Sequence, residues 1–494
     1  MIERILNYLR PNGKPGANAA GERAFAGADM GRLQSDWIAP DLSSDAALRS
    51  NIRVLRNRWR DLEKNNDYAR RFLAEFQVNV IGPEGFSFRN MARNDDADRT
   101  LDSVGNTLIQ EEWTRWADSY CDMSGEMRFS EMEQLAGRTM ARDGEVILQM
   151  VPGANNPFRF ALHILEADHL DEDLNRPPKP GLNEIRMGVE VDGWRRRVAY
   201  YIRRSHPGDV FHPHVGRMHE RVPAENIIHL FVRERPGQTR GYPLGVSAIK
   251  GLRNLGAYEE AEVVAARMQA SKGVFYESDA QQGGGNPYQQ KDEQGRRKAN
   301  FEPGMEHALP PGVRAVVYNP THPNQNYSHF RGGMLKGISA GLISSYPTLA
   351  QDPAGINFSM IRAGLIIERD VWKLYQHTVK SQFHLRVFPR WLEMGMLSGA
   401  VDLPLAKFDK FNRPRFRGRR WEFVDPAREG RAAQRLIQTG LTSRHRHLDE
   451  RNESFDEVAE ELEIEQARLI KAGLAMPIEE TDPDPNDTEL SDDS

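Results

Sequence analysis

The 494 residues exceed what one hydrophobic core supports, and a chain of this length reads as roughly two to four domains. A formal net charge of −5 excludes a molecule that coats nucleic acid by bulk positive charge. The single cysteine, Cys121, excludes a disulfide framework and a cysteine-based zinc cluster, and no apolar run reaches the ~18 residues of a membrane span.

Residues 1–42 begin MIERILNYLRPNGKPG, lack an apolar signal core and turn Gly/Ala-rich, so a short helix and a flexible arm are expected. Ser43-Ser44-Asp45 is an N-cap cluster, after which Leu48, Ile52, Leu55, Trp59 and Leu62 recur at helical spacing. Asn65-Asn66-Asp67 turns the chain into a second helix carrying Phe72, Leu73, Phe76 and Val80, stopped by Gly82-Pro83. A third helix shows Val104, Leu108, Trp113, Trp116 and Tyr120; a fourth shows Phe129, Met132, Leu135 and Met140 and ends at Asp143-Gly144. The period then changes. Stretches 145–151, 158–164, 185–191, 198–202 and 226–232 read as strands, with Asp192-Gly193 as a hairpin turn. Helices followed by an antiparallel group predict an α+β domain over about 43–240.

A helix with a thin apolar stripe is predicted over 246–271. Residues 278–300 are Gly/Gln/Lys-rich and read as an exposed excursion, closed at its base by short strands at 273–276 and 313–318. In the next helix Phe330, Met334, Ile338 and Leu342 recur every four residues, and so do Gly333, Gly337 and Gly341. A glycine inside a helix costs about 1 kcal/mol relative to alanine, so three ask for compensation. Bare backbone lets a neighbouring helix approach closely, and Lys336 makes that neighbour protein rather than lipid. After breaks at Tyr346-Pro347 and Asp352-Pro353, a long helix carries Leu365, Trp372, Val379 and Phe383 on one side. Ile367, Val371 and Leu374 lie on another. A helical run is predicted over 426–472, and the last segment, MPIEETDPDPNDTELSDDS, is acidic without a basic residue and is expected to be disordered.

Catalytic signals are few. There is no Walker A loop, no dinucleotide G-x-G-x-x-G and no H-E-x-x-H. Gly337–Gly341 matches G-x-S-x-G and nominates Ser339 as a hydrolase nucleophile, but that elbow needs a strand before it. The preceding HFRGGMLK has helical period, which favours a packing face and leaves a serine hydrolase as an alternative class. Asp171–Asn175 begins like a calcium loop but carries Arg176 and Leu182 where glycine and glutamate belong, and reads as an exposed turn. His206, His212, His214 and His219 crowd one loop, with prolines and glycine between them that weigh against a metal. Arg444–His447 reads as a solvated helix start and Arg195–Arg197 as a solvated loop. Lys407, Lys410, Arg413, Arg415, Arg417, Arg419 and Arg420 interleave with Phe408, Phe411, Phe416 and Trp421. This mix suits phosphates and bases, the basis of a non-ring nucleic-acid-binding capsid protein as another class; a charged outer strand face or a subunit contact is favoured. No metal and no cofactor is expected.

Four segments carry a resemblance: RWRDLEKNNDYARRFLAEFQVNV at 58–80 running into IGPEGF, RVPAENIIHLFVRERPGQTRGYPLG at 221–245, DPAGINFSMIRAGLIIE at 352–368 and WEFVDPAREGRAAQRLIQTGLTSR at 421–444. In this order and spacing they resemble the lambda-type phage portal proteins, over about residues 45–473. The resemblance implies a largely helical α+β portal fold assembled as a ring, usually a dodecamer, at one capsid vertex. Double-stranded DNA passes through it during packaging and ejection, and no reaction is catalysed. It implies a wing over 43–243, a first stem helix over 244–271, a clip over 272–320 and a second stem helix over 321–345. A tunnel loop over 346–358, a long helix and wing return over 359–420 and a crown over 421–475 follow, with the acidic tail at 476–494. Its expected partners are other copies of itself, DNA, the terminase, head–tail connector proteins, and the major capsid and scaffold proteins, with no membrane. It would sit in the virion, and in the host cytoplasm during assembly. Lys336, Gln351 and Asn357 are the DNA-tunnel candidates, Arg296, Arg297 and Lys298 the terminase contacts, and Gly333, Gly337 and Gly341 the subunit-packing line.

Overall fold

The computed structural model describes residues 39–95, 100–211, 219–270, 274–278, 313–317, 326–352, 358–421, 426–449 and 455–474. Ser43 Oγ accepts from the Ala46 N–H at 3.2 Å and starts α1 (Ser44–Arg49). The first expected helix is interrupted: Asn51 Nδ2 donates to the Ala47 carbonyl at 2.9 Å, competing with the helical ladder, and α2 (Ile52–Asn65) starts afresh. Asn66 Oδ1 accepts from Ala69 N–H at 3.0 Å and caps α3 (Asp67–Phe76), which leaves through a π turn at Gln77–Ile81 into Gly82. β1 (Ser87–Asn90) precedes α4 (Ser103–Ser119) and α5 (Phe129–Asp143). The inward face of α4 is rotated from the expected one. Val104 is 79% exposed, and Gly105, Ile109, Trp113 and Trp116 point inward. Gly105 is needed there because a Cβ would stand 2.6 Å from the Phe411 ring.

The strands between residues 145 and 231 form two antiparallel sheets. β2 (Glu145–Pro152) is central between β3 (Phe160–Leu165) and, from later in the chain, β8 (Ile227–Phe231). β4 (Glu184–Arg186), β5 (Val189–Val191), β6 (Arg197–Arg203) and β7 (His219–Pro223) follow one another in a meander. The single strand expected over 185–191 is therefore two. Met187 (φ 46°) and Gly188 (φ 83°) are successive left-handed residues that reverse the chain. At the Asp192 turn the left-handed corner is Arg195 (φ 61°) rather than Gly193, and the Asp192 carboxylate holds the loop by accepting from the Trp194 and Arg196 N–H groups. β7 occupies part of a stretch read as loop.

Helices α6 (Ile249–Ala270) and α7 (Tyr327–Leu342) bracket an antiparallel pair, β9 (Val274–Ser278) with β10 (Val313–Val317), as the periodicity predicts. A short α8 (Tyr346–Ala350) leads toward α9 (Phe358–Val379), which continues through a π turn at Lys380–His384 into α10 (Leu385–Ser398). The basic–aromatic stretch holds α11 (Phe408–Phe411) and β11 (Pro414–Arg417). β11 pairs with β1, Phe416 opposite Phe88, and buries Phe416 while its arginines flank it, the favoured reading of that stretch. Three helices close the described chain: α12 (Pro426–Gln438), α13 (Arg444–Asp449) and α14 (Phe455–Ala472).

The main core is aromatic and joins both halves of the chain. The Trp113 ring lies 4.9 Å from Phe88, 5.0 Å from Trp116, 5.3 Å from Phe129 and 5.0 Å from Trp391 of α10. Such ring pairs contribute about 0.5–1.5 kcal/mol each beyond the area they bury. A smaller cluster (Ile147, Leu170, Val189, Tyr200, Ile202, Val222, Ile227) fills the space between the two sheets. The fold is mixed helix and strand with helix predominant, and no described helix is long and apolar enough to cross a membrane.

Candidate channel and subunit-contact surfaces

α6 and α7 run together as a pair. Tyr258 packs 4.7 Å from Phe330 and 6.0 Å from Tyr327, Arg331 Nε donates to Glu259 Oε1 at 3.0 Å, and Ser247 Oγ donates to the Gly341 carbonyl at 2.8 Å. Leu335, Ile338 and Leu342 face the body of the chain and are buried. The glycines do not all face one way. A Cβ on Gly333 or Gly337 would meet no atom within 4 Å, whereas one on Gly341 would stand 3.0 Å from Ser247 Oγ. Eight residues of helix turn the direction by about 80°, so a four-residue repeat spirals off a straight line. Gly341 thus serves a contact inside this chain; Gly333 and Gly337 present bare backbone outward.

Ser339 lies inside the same helix at 3% exposure, with helix rather than strand before it. The strand-to-helix elbow of a serine hydrolase is not formed, and the motif match is a helical packing face. Lys336 is exposed, with Nζ 5.7 Å from the Tyr346 ring centroid. Gln351 is exposed at φ 52°, and its Nε2 donates to the Thr348 carbonyl at 2.8 Å, closing α8. Gln351 thereby lies in, and Lys336 against, the segment Tyr346–Asp352, itself tied by a 3.0 Å hydrogen bond from the Tyr346 hydroxyl to Asp352. Asn357, Arg296, Arg297 and Lys298 lie outside the described residues.

α9 adds a surface the sequence grouped but did not assign. Trp372 and Val379 point inward, and Glu368 is buried, accepting from Ser344 Oγ and Thr348 Oγ1 at 3.2 Å each. On another face Ile367 is 68% and Leu374 70% exposed, with Met360 at 63% one heptad earlier. Spacing of seven puts these three on one side of the helix.

A buried ion network, not anticipated, fixes the root of α6. Glu145, fully buried on β2, accepts from Arg56 at 3.0 Å, from Arg240 at 2.5 Å, from His229 Nε2 at 2.8 Å and from the Gly241 N–H at 2.8 Å. Arg56 also reaches Asp168 at 3.1 Å, and Arg60 joins Asp168 (2.6 Å) to Asp143 (2.8 Å). Burial would raise the Glu145 carboxyl, but Arg240 and His229 overcome it and hold the group far below the ordinary carboxylate range. Burial, with Arg197 adding to it, pushes His229 down to about 3, so its imidazole is neutral and donates through Nε2–H.

This has a pH consequence. The unfolded chain takes up a proton at a histidine near pH ~6.5 that folded His229 refuses until about 3, so stability is full above ~6.5 and falls as pH drops through that window. Urea unfolding midpoints are expected to fall from pH 7 to pH 4.5, and His229→Gln should flatten the slope between pH 6.5 and 5. An unchanged slope in the variant would assign the pH dependence elsewhere.

Of the histidine loop the described residues include His206 and His219, and His206 groups with Glu166 and Asp168, their ligand atoms all within 4.8 Å of one another. His206 Nε2 lies 3.3 Å from Glu166 and 3.7 Å from Asp168, whose carboxylate already carries Arg56 and Arg60, while His219 binds Asp171 at 2.9 Å. His212 and His214 lie outside the described residues. Cys121 is buried, and burial pushes its thiol up to about 12.

Residues 30–376 match the model of the phage portal protein, lambda family. The chain is 32% identical over 460 residues to the probable portal protein of Halomonas phage phiHAP-1, covering 92% of this chain and 88% of that one. It is 22% identical to portal protein B of Escherichia phage lambda, covering 96% and 94%. Among solved structures, a chain from the neck of an empty gene transfer agent particle covers 86% of this chain and 99% of its own, at 13% identity and a TM-score of 0.43. The family model spans well over half of the chain and the phiHAP-1 relative spans 92% of it, and the protein belongs to the lambda family of phage portal proteins.

Proposed function

We propose that copies of this chain close into a ring, a dodecamer by the family resemblance, that forms the channel for double-stranded DNA at one capsid vertex. The observation that carries the reading is the match to proteins named portal proteins over nearly their full length. The surfaces on α7 and α9 agree with it, because outward bare backbone and exposed aliphatic side chains are what a neighbouring copy would cover. In this reading 43–243 and 359–420 form the wing, α6 and α7 the stem, 272–320 the clip, 346–358 the tunnel loop and 421–475 the crown. The clip, with Arg296, Arg297 and Lys298, would receive the terminase and later the head–tail connector proteins; the wing would meet major capsid and scaffold proteins. Assembly would take place in the host cytoplasm and end in the virion. A bore through which DNA slides must not grip many phosphates, since each neutralised phosphate adds affinity. Lys336, Gln351 and Asn357 supply one cation and two amides, which suits sliding.

Negative-stain imaging and native mass measurement of the purified chain are expected to show closed rings; a single compact subunit at every concentration and salt would overturn the reading. In particles assembled with Gln351→Ala and Asn357→Ala together, the rate of DNA packaging is expected to change several-fold, and unchanged packaging would remove both residues from the bore.

A further inference from the structure

The β5–β6 turn and the segment after β8 wall a cavity of about 620 Å3 that the portal function does not use. Its lining includes Trp194 and five arginines. Arg186 is matched by Asp45 at 3.1 Å and Glu184 at 2.8 Å. The other four pair with no carboxylate among the described residues. Arg195 donates to the Gly237 carbonyl at 3.0 Å, Arg197 to Thr239 at 3.1 Å and Arg235 to Leu42 at 3.3 Å. Arg233 and Arg197 share a ring, their guanidinium carbons 5.5 and 4.8 Å from the centroid of Phe231. The one acid in the wall, Glu234, is engaged by the Tyr242 hydroxyl. Trp194 stands beside them at 83% exposure.

Four guanidiniums facing one carboxylate repel one another unless an anion enters. Arg233 registers this: burial first, then Arg197, lowers its basicity. A guanidinium takes a carboxylate or phosphate in a two-pronged hydrogen bond, so the ligand must bring several such groups on a chain slim enough for the cavity. The N-terminal arm joins the described chain near here but offers no excess of acid, since residues 1–38 hold four acidic and five basic residues. The other end does. Residues 476–494 contain eight acidic and no basic residues, and without them the formal charge of −5 would become −5 + 8 = +3. A segment of that length extends to at most ~65 Å.

We propose that the arginine cavity is a binding site for a carboxylate-rich peptide, and that its occupant is the acidic segment 476–494 of this chain or of an adjoining copy. The pairing joins a segment with eight acidic and no basic residues to a cavity lined by five arginines and one acid, and it weakens as salt rises. It does not depend on the ring.

The test uses the full-length chain with the eight acids of 476–494 changed to Asn or Gln, which leaves the cavity open. A fluorescein-labelled peptide of the native 476–494 sequence is then titrated by anisotropy at low salt, beside single- and double-stranded DNA oligonucleotides. Saturable peptide binding is expected, weakened about tenfold or more when Arg195, Arg233 and Arg235 are changed to Gln. Those three side chains lie at the surface, so the variant should unfold at the native temperature. In the otherwise native chain, amide hydrogen exchange over 193–197 should be slower than in the tail-neutralised one. Peptide binding equal in the arginine variant, no peptide binding, or identical exchange with and without the acids would each overturn the proposal. So would arginine-dependent binding of DNA without binding of the peptide, which would make the site one for nucleic-acid phosphates.

Discussion

Changing Glu145 to glutamine is expected to lower the unfolding free energy by roughly 3–5 kcal/mol, the cost of leaving buried charge without its partner. Arg56, Arg240, His229 and Glu145 all have side chains with no exposure to solvent. Glutamine keeps the shape and some hydrogen bonds but withdraws the one negative charge that Arg240 reaches directly. Arg56 would retain the Asp168 carboxylate, whereas Arg240 would be left with neutral acceptors, among them the carbonyls of Ala167, Leu170 and Met187 at 2.9–3.2 Å. The double change Glu145→Leu with Arg240→Leu is expected to cost less than Glu145→Gln alone, because it removes the stranded cation together with its partner. Urea unfolding of the three chains decides this. A Glu145→Gln loss below about 1 kcal/mol would show that the network does not pin the structure.

The position of the network gives the prediction wider meaning. Arg56 comes from α2, Glu145 from β2, His229 from β8, and Arg240 from the segment that becomes the start of α6. Five residues later Gly245 passes under the Trp59 ring so closely that a Cβ would lie 2.0 Å from it. Charge and contact together set the direction in which the α6–α7 pair leaves the body, the direction in which DNA would travel on the portal reading.

How much of this was legible follows from the reach of each interaction. Helix starts were readable because caps are local: Ser43 and Asn66 bond backbone groups three residues on. The turn at Met187 was not, because a methionine at positive φ carries no signal, and only Gly188 beside it does. The rotated face of α4 depends on Phe411, and the β1–β11 pairing joins residues 330 apart, Ser87 and Arg417. The ion network likewise joins partners 83 to 112 residues apart, and isolated arginines at 56 and 240 look like any surface cation until burial is known. At the candidate surface, spacing gave the glycines and the heptad of α9, but spacing has no absolute phase. Only the packed structure separates outward Gly333 and Gly337 from inward Gly341.

That separation supports a prediction in which two effects of opposite sign come from one substitution. Gly337→Leu adds a side chain where nothing stands within 4 Å and replaces a poor helix former, so the isolated subunit is expected to gain up to about 1 kcal/mol. If a neighbouring helix lies against that backbone, the same leucine holds it off, and closed rings should be lost from negative-stain fields and native mass spectra. Ile367→Asp with Leu374→Asp tests the second face. Both positions are more than two-thirds exposed, so the subunit should fold. Burying an aliphatic side chain contributes about 1.5–3 kcal/mol and an unpaired carboxylate reverses the sign, a change repeated at every contact around a closed ring. Leu182, 51% exposed in the loop before β4, is the control at which Asp should leave assembly intact. Rings formed at native yield by Gly337→Leu and by the α9 double variant would remove both faces from the subunit contact and send the search to the exposed apolar residues of α14, Leu462 and Ile470.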